Sequence, residues 1–150
     1  MRNMDRSRRR LRNGLAAALL VATGGAALAT PPAPAVIDLG AVQGDWRNLK
    51  NSVHIRTYAC GAELCGVITW ANAKASADAA KGGTAKLEGT QVFREFRPIG
   101  DGAYKGKVFV PDIKRTLAGR LQVTADDKLV GKGCVLGGLI CKTSTWVRVN

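Results

Sequence analysis

Residues 132–146 read KGCVLGGLICKTSTW. Cys134 and Cys141 stand symmetrically about Gly137-Gly138, so that Val135 faces Ile140 and Leu136 faces Leu139. The stretch admits three readings: a metal clip, a redox site, or a stapled hairpin. The other cysteines, Cys60 and Cys65, are separated by four residues, and Cys134 and Cys141 by six. Zinc sites favour closer pairs, and a thioredoxin-like motif requires C-x-x-C. Gly-Gly supplies residues tolerant of φ > 0, which predicts a two-residue type I′ turn and places Cys134 across from Cys141. Directly paired residues lie within disulfide reach. A stapled hairpin is therefore the expectation, and antiparallel strands come with it.

The compartment supports that reading. The chain opens MRNMDRSRRRLR, continues with the apolar run 14–28, and reaches Ala27-Leu28-Ala29. A basic segment, a short apolar segment and an A-x-A site describe an export signal peptide spanning 1–29. The run is shorter than the roughly 20 residues of a membrane span. Ala33-Pro34-Ala35 is a second cleavage candidate, and Ser7-Arg8-Arg9 partly matches a twin-arginine signal. Residues 30–40, with TPPAPA, read as a flexible arm. Residues 41–150 then form one domain, and the mature chain is periplasmic or secreted, where disulfides persist. It keeps 17 basic and 10 acidic side chains. That balance suits solubility and contact with anionic envelope polymers, and no Lys/Arg block outside the leader points to nucleic acid.

Four cysteines allow three pairings. Local geometry favours Cys60–Cys65, around the loop GAEL, and Cys134–Cys141. The loop-entropy model gives about 2–2.5 kcal/mol for each short ring, against about 4.5 kcal/mol for a bridge from Cys60 to Cys141. The long bridge stays open if the first and last strands meet.

From residue 44 the texture is of short β-like runs between turn residues. Trp46 begins the first; SVHIRTYAC, CGVITWA, TQVFREFR, AYKGKVFVP, TLAGRLQVT, KLVGKGC and CKTSTWVRV follow. Period-two alternation marks strands with one face buried. Residues 71–86, ANAKASADAAKGGTAK, read as a long loop whose Ala-rich centre reaches one or two helical turns at most. Eight short antiparallel strands imply a closed up-and-down barrel or a sandwich, and closure removes exposed edges. Val53, Ile55, Val67, Val108, Leu121 and Val130 are the expected inward set and the candidate lining of a ligand cavity.

The residues Gly44-x-Trp46, Ile55-Arg56-x3-Cys60-Gly61-x2-Leu64-Cys65-Gly66-x-Ile68, and Cys134 through Cys141-Lys-Thr-x-Thr-Trp146-x-Arg148 resemble a bacterial exported family, domain of unknown function 2147. Leu87-x-Gly89, Val92-Phe93 and Gly106-Lys-Val-Phe-x-Pro111 resemble its middle. The chain departs at SADAAKGG and PDIKRTLAG, where the family carries an Asp/Asn-rich loop and a Gly-Lys-x-Tyr. The resemblance implies a lipocalin-like β-barrel, without an activity to carry over. Gly44-x-Trp46 also resembles the lipocalin signature, which implies that Arg148 covers Trp46 through a cation–π contact. Gly44, Trp46, Trp146 and Arg148 are thus the expected closure residues.

Catalysis finds little support. His54 is the single histidine and lies beside Arg56 on the outward parity, without a nucleophile signature. The acids Asp45, Glu63, Glu88, Glu95, Asp112, Asp126 and Asp127 fall mostly at turns, and neither a phosphate loop nor a metal-ligand cluster is present. No cofactor or metal is expected. The leading expectation is a non-catalytic barrel binding a small hydrophobic or amphipathic ligand. The alternative is an interaction protein presenting Arg56, Arg94, Arg97, Lys105, Lys107 and Arg120 to an anionic envelope polymer or a protein partner. Neither nucleic-acid binding nor a transmembrane span after cleavage is expected.

Overall fold

Alternation along the chain becomes an inside and an outside. In the computed structural model, which describes residues 39–149, Ile55 and Thr57 are buried while Arg56 between them is exposed. The signal peptide and most of the expected arm lie outside the described residues. The strands are β1 (Gly44–Asn48), β2 (Val53–Cys60), β3 (Glu63–Ala71), β4 (Gln91–Gly100), β5 (Ala103–Val110), β6 (Arg115–Val123), β7 (Lys128–Val135) and β8 (Ile140–Arg148). Each pairs antiparallel with the next, and β8 pairs with β1, so the sheet closes into an eight-stranded barrel. The barrel begins slightly inside the expected arm: Leu39 is buried and Gly40 opens a 3-10 turn, Gly40–Val42.

The interior is packed. Trp46, Ile55, Leu64, Phe96, Leu121 and Leu129 are each 0% exposed, and Phe93, Ile68 and Tyr104 complete the filling. Glycines make the room. A Cβ on Gly66 would stand 2.5 Å from the Phe93 ring, and one on Gly106 would stand 2.6 Å from Phe96. Phe93 and Phe96 are three apart, so strict alternation would send one outward. A bulge at Glu95–Phe96, between the paired Arg94 and Arg97 and with Glu95 at φ 56°, shifts the register and turns both rings inward. They meet edge to face at 5.6 Å.

This packing corrects the expected cavity. Ile55 and Leu121 belong to the solid core. Val67 and Val130 face outward: Val67 pairs with Arg56, and Val130 with Gln122 and Thr145. In both strands the inward sites beside the valine include glycine, Gly66 under Phe93 and Gly131 against Leu121. A glycine there signals a neighbour's bulk, and parity read from the valine is inverted. Val53 and Val108 do pack against the core from the inner wall.

Three connections also differ from expectation. The long loop holds a nine-residue helix, α1 (Ala73–Lys81), because Asn72 caps it by accepting from the Ala75 amide at 2.8 Å. Ala79 buries its methyl completely, and Gly82 ends the helix. The β7–β8 connection spans four residues, Leu136–Leu139, with positive φ at Leu136 and Gly138 in place of a two-residue type I′ turn. The β2–β3 turn is only Gly61-Ala62, since Cys60 pairs with Glu63.

The barrel ends are unlike. One end gathers the turns 61–62, 101–102 and 124–127 with the 3-10 turn Gly40–Val42. The other gathers turn 49–52, α1, the 3-10 turn Pro111–Ile113 and loop 136–139. These are called here the sealed end and the helix end. Thr84 Oγ1 donates to the Pro111 carbonyl at 3.0 Å and ties the segment after α1 to the Pro111–Ile113 turn.

Filling Gly66 tests the packed interior. Gly66→Ala should lower unfolding free energy by roughly 1–3 kcal/mol, the usual cost of overpacking, read from the urea midpoint. Adding Phe93→Leu should recover part of the loss, because it replaces the rigid ring with a smaller side chain that can rotate away from the new methyl.

Candidate functional site

The sealed end is built around Trp46. Its indole Nε1 donates to Thr57 Oγ1 at 3.0 Å and to the Val42 carbonyl at 3.3 Å. Thr57 Oγ1 lies 2.5 Å from the same carbonyl and 3.2 Å from that of Gly44. The Arg148 guanidinium lies 4.2 Å from the Trp46 ring centroid. It also donates to the carbonyls of Gln43 (3.1 Å) and Ala41 (2.6 Å) and grips both Asp127 oxygens at 2.9 and 3.1 Å. A Cβ on Gly44, whose φ is +141°, would stand 2.6 Å from Arg148 Nη1. Gly44 is therefore required for both its backbone and its lack of a side chain. β1 meets β8 through Trp46↔Arg148, Arg47↔Val147 and Asn48↔Trp146. Trp146 sits opposite Leu129. Thr57 escaped the sequence reading; its signal was a threonine on the inward parity of the strand facing Trp46.

The helix end is looser. β1 stops at Asn48, whose Oδ1 accepts from the amides of Ser52 (2.8 Å) and Val53 (3.3 Å) and turns the chain. The β1 pairing of β8 covers only 146–148, so residues 140–145 have no strand beside them on that edge among the described residues. Residues 140–144 are exposed throughout. Trp146 Nε1 donates to Ser144 Oγ at 3.1 Å. On the inner wall Val53, Val108, Leu117 and Trp146 are only half-buried. Of the seven exposed large apolar residues described, six lie at this end: Leu49, Trp70, Ile113, Leu136, Leu139 and Ile140. His54 also sits here, 2.7 Å from Asn51 Oδ1 and 4.7 Å from the Trp70 ring.

The cysteines pair as Cys60–Cys65 and Cys134–Cys141. The first lies near the sealed end. The second lies at the root of the apolar loop 136–139, where the partners sit directly opposite.

Most named acids are engaged by cations. Asp45 binds Arg56, Glu63 binds Arg97, Glu95 binds Lys107, Asp126 binds Lys128 and Asp127 binds Arg148. Glu88 instead accepts from the Ala71 amide. Hydrogen bonds from Lys128 and Thr124 hold the Asp126 carboxyl down at about 2. The Arg148 hydrogen bond holds Asp127 below its ordinary range. Among the described residues no three His, Cys, Asp or Glu side chains gather as a metal site would require. Of the outer cations, Arg56, Arg97 and Lys107 are thus paired, and Arg94 lies 5.5 Å from the Phe109 ring. Lys105 and Arg120 make no ion pair among the described residues.

A family model described as "Uncharacterized protein conserved in bacteria (DUF2147)" matches residues 44–148, from the glycine before Trp46 to the arginine above it. The chain belongs to this bacterial family. No curated protein matches. Among solved structures the chain resembles protein HP1028 from Helicobacter pylori, described as belonging to the lipocalin family. The TM-score is 0.56 at 16% identity, covering 77% of this chain and 85% of that one. At that identity the likeness concerns the fold: a lipocalin-like barrel.

Arg148→Met should cost roughly 1–3 kcal/mol, from the lost cation–π contact and two carbonyls left without their donor. Asp127 is depressed when folded, so its contribution is complete above its unfolded value of about 3.9. That contribution disappears as the pH falls through the folded value. The stability gap between parent and variant should therefore be widest near neutrality and narrow on acidification below about pH 4. Denaturant titrations at neutral and acid pH measure it.

Proposed function

We propose that this protein is an exported, non-catalytic barrel that binds a small hydrophobic or amphipathic ligand at its helix end. The observation that carries the reading is the asymmetry between the ends. At the sealed end the 3-10 turn and Arg148 over Trp46 cover the core, and the groove of about 340 Å³ left there, between Leu39–Val42, Tyr104 and Val123–Ala125, has buried Leu39, Val42 and Tyr104 in its wall. The helix end leaves Val53, Val108, Leu117 and Trp146 half-buried and surrounds them with exposed Leu49, Ile113, Leu139 and Ile140. Exposed apolar groups clustered at one end of a soluble barrel mark a binding site more often than scattered ones do. The packed middle confines the ligand to a shallow seat, so the apolar rim supplies a large share of the contact.

Export fits the same reading. Both disulfides belong to an oxidising compartment, consistent with a periplasmic or extracellular protein. The basic, apolar and A-x-A segments of the first 29 residues supply the address.

The neutral fluorescent probe N-phenyl-1-naphthylamine tests the site without involving the basic surface. It should bind saturably and perturb tryptophan emission. Leu139→Ser with Ile140→Ser, both at exposed positions, should weaken binding several-fold and leave the unfolding free energy from urea titration within about 0.5 kcal/mol, as surface changes do. Val67→Ser, on the outer wall, should leave it unchanged. Equal affinity in all three proteins would rule out the helix end as the seat.

A further inference from the structure

The barrel's outer wall carries a line of like charges. Arg97 on β4 is directly opposite Lys105 on β5, Lys105 opposite Arg120 on β6, and Arg120 opposite Lys132 on β7. All four side chains are exposed. Like charges placed directly opposite each other across strands repel and destabilise the sheet. Here the arrangement repeats three times in succession. Arg97 is relieved by Glu63, whose carboxylate lies 2.8 Å from Nη2. Lys105, Arg120 and Lys132 have no such relief among the described residues. Elsewhere on the wall, cations at Arg56, Lys107 and Lys128 each meet a carboxylate. The row is thus three cations set side by side across neighbouring strands without a carboxylate among them.

The three unrelieved cations also share a concavity. They line a groove of about 310 Å³ together with Ile99, Ala118, Gly119 and Cys134. Ala118 and Cys134, small residues two positions along from Arg120 and Lys132, leave the sheet low beside the row, so an anionic chain can pass across the strands with a cation at each step. The step is the strand spacing, about 4.8 Å.

We propose that this groove binds an anionic polysaccharide, one charge on each sugar lying along Lys105, Arg120 and Lys132. The lining argues against two other anionic partners. No aromatic side chain lines the groove, so it lacks the stacking platform that single-stranded nucleic acid uses. Ile99 is the one exposed large apolar residue in the groove, whereas the rest cluster at the helix end. A lipid surface against this wall would find little to insert around. The proposal stands apart from the ligand seat at the helix end, since these residues face outward.

The test uses polygalacturonate, with one carboxylate per sugar, against the folded protein by calorimetry or fluorescence anisotropy at low salt. Single-stranded oligo(dT), polyphosphate and anionic phospholipid vesicles are the competing probes. Polygalacturonate should bind in a salt-sensitive manner. The triple variant Lys105→Gln, Arg120→Gln and Lys132→Gln should bind at least tenfold more weakly. A control removing the same charge elsewhere, Lys50→Gln, Lys86→Gln and Lys114→Gln, should bind within twofold of the parent. The row variant should also unfold at the same or a higher urea concentration, because repulsion has been removed. Equal losses in the two triple variants would overturn the proposal, reducing the effect to net charge. So would tighter binding of oligo(dT), polyphosphate or vesicles than of polygalacturonate.

Discussion

The stack of Arg148 on Trp46 is the constraint from which the sealed end follows. Two hydrogen-bond acceptors, an aromatic face and a carboxylate all converge on one guanidinium. The planar fork of arginine suits this; an ammonium would satisfy one or two of these partners and lose the stack. The contact also joins the first strand to the last, which no local hairpin can do. Trp46 in turn fixes Thr57, and Thr57 fixes the carbonyls of Val42 and Gly44. One cluster at the sealed end therefore sets the position of the N-terminal turn, the start of β1 and the end of β8.

With that end fixed, the other is free to differ. β1 has five residues and β8 has nine. Strands of unequal length cannot pair over their whole extent, so part of β8 is left with an open edge. Exposed polar residues, Lys142 through Ser144, occupy it. They keep that edge hydrated and discourage pairing with a second chain. The apolar residues are confined to the loop beyond, where the Cys134–Cys141 bridge holds the two strands together.

Strand number, order of elements and the cysteine pairs could be read in the sequence because they rest on local patterns. Alternation in β2 and β6, and the symmetric spacing around Gly137-Gly138, are of this kind. Three features could not be read so. The inward glycines Gly66 and Gly131 owe their meaning to Phe93 and Leu121, which come from other strands. The Glu95 bulge reverses parity in mid-strand, and only the register with β5 exposes it. The cation row exists only across strands: Lys132 was unremarkable in its own strand and becomes notable beside Arg120. The closure residues were legible through resemblance, whereas their hydrogen-bond partners depended on the turn at Gly40–Val42.

The location of the disulfides also bears on how the chain comes to be folded. Each bridge closes a ring within one hairpin, its cysteines only five and seven positions apart in the chain. The contact of Arg148 with Gln43 spans 105 residues. Loop closure over such a distance carries a larger entropic cost than a hairpin. A chain made from its N-terminus presents β1 long before β8 arrives. Each bridge can form once its own hairpin is made, independently of the other, and neither commits the chain to a wrong long-range pairing. The oxidative chemistry is thereby uncoupled from barrel closure, which waits for the final strand and needs no covalent bond of its own.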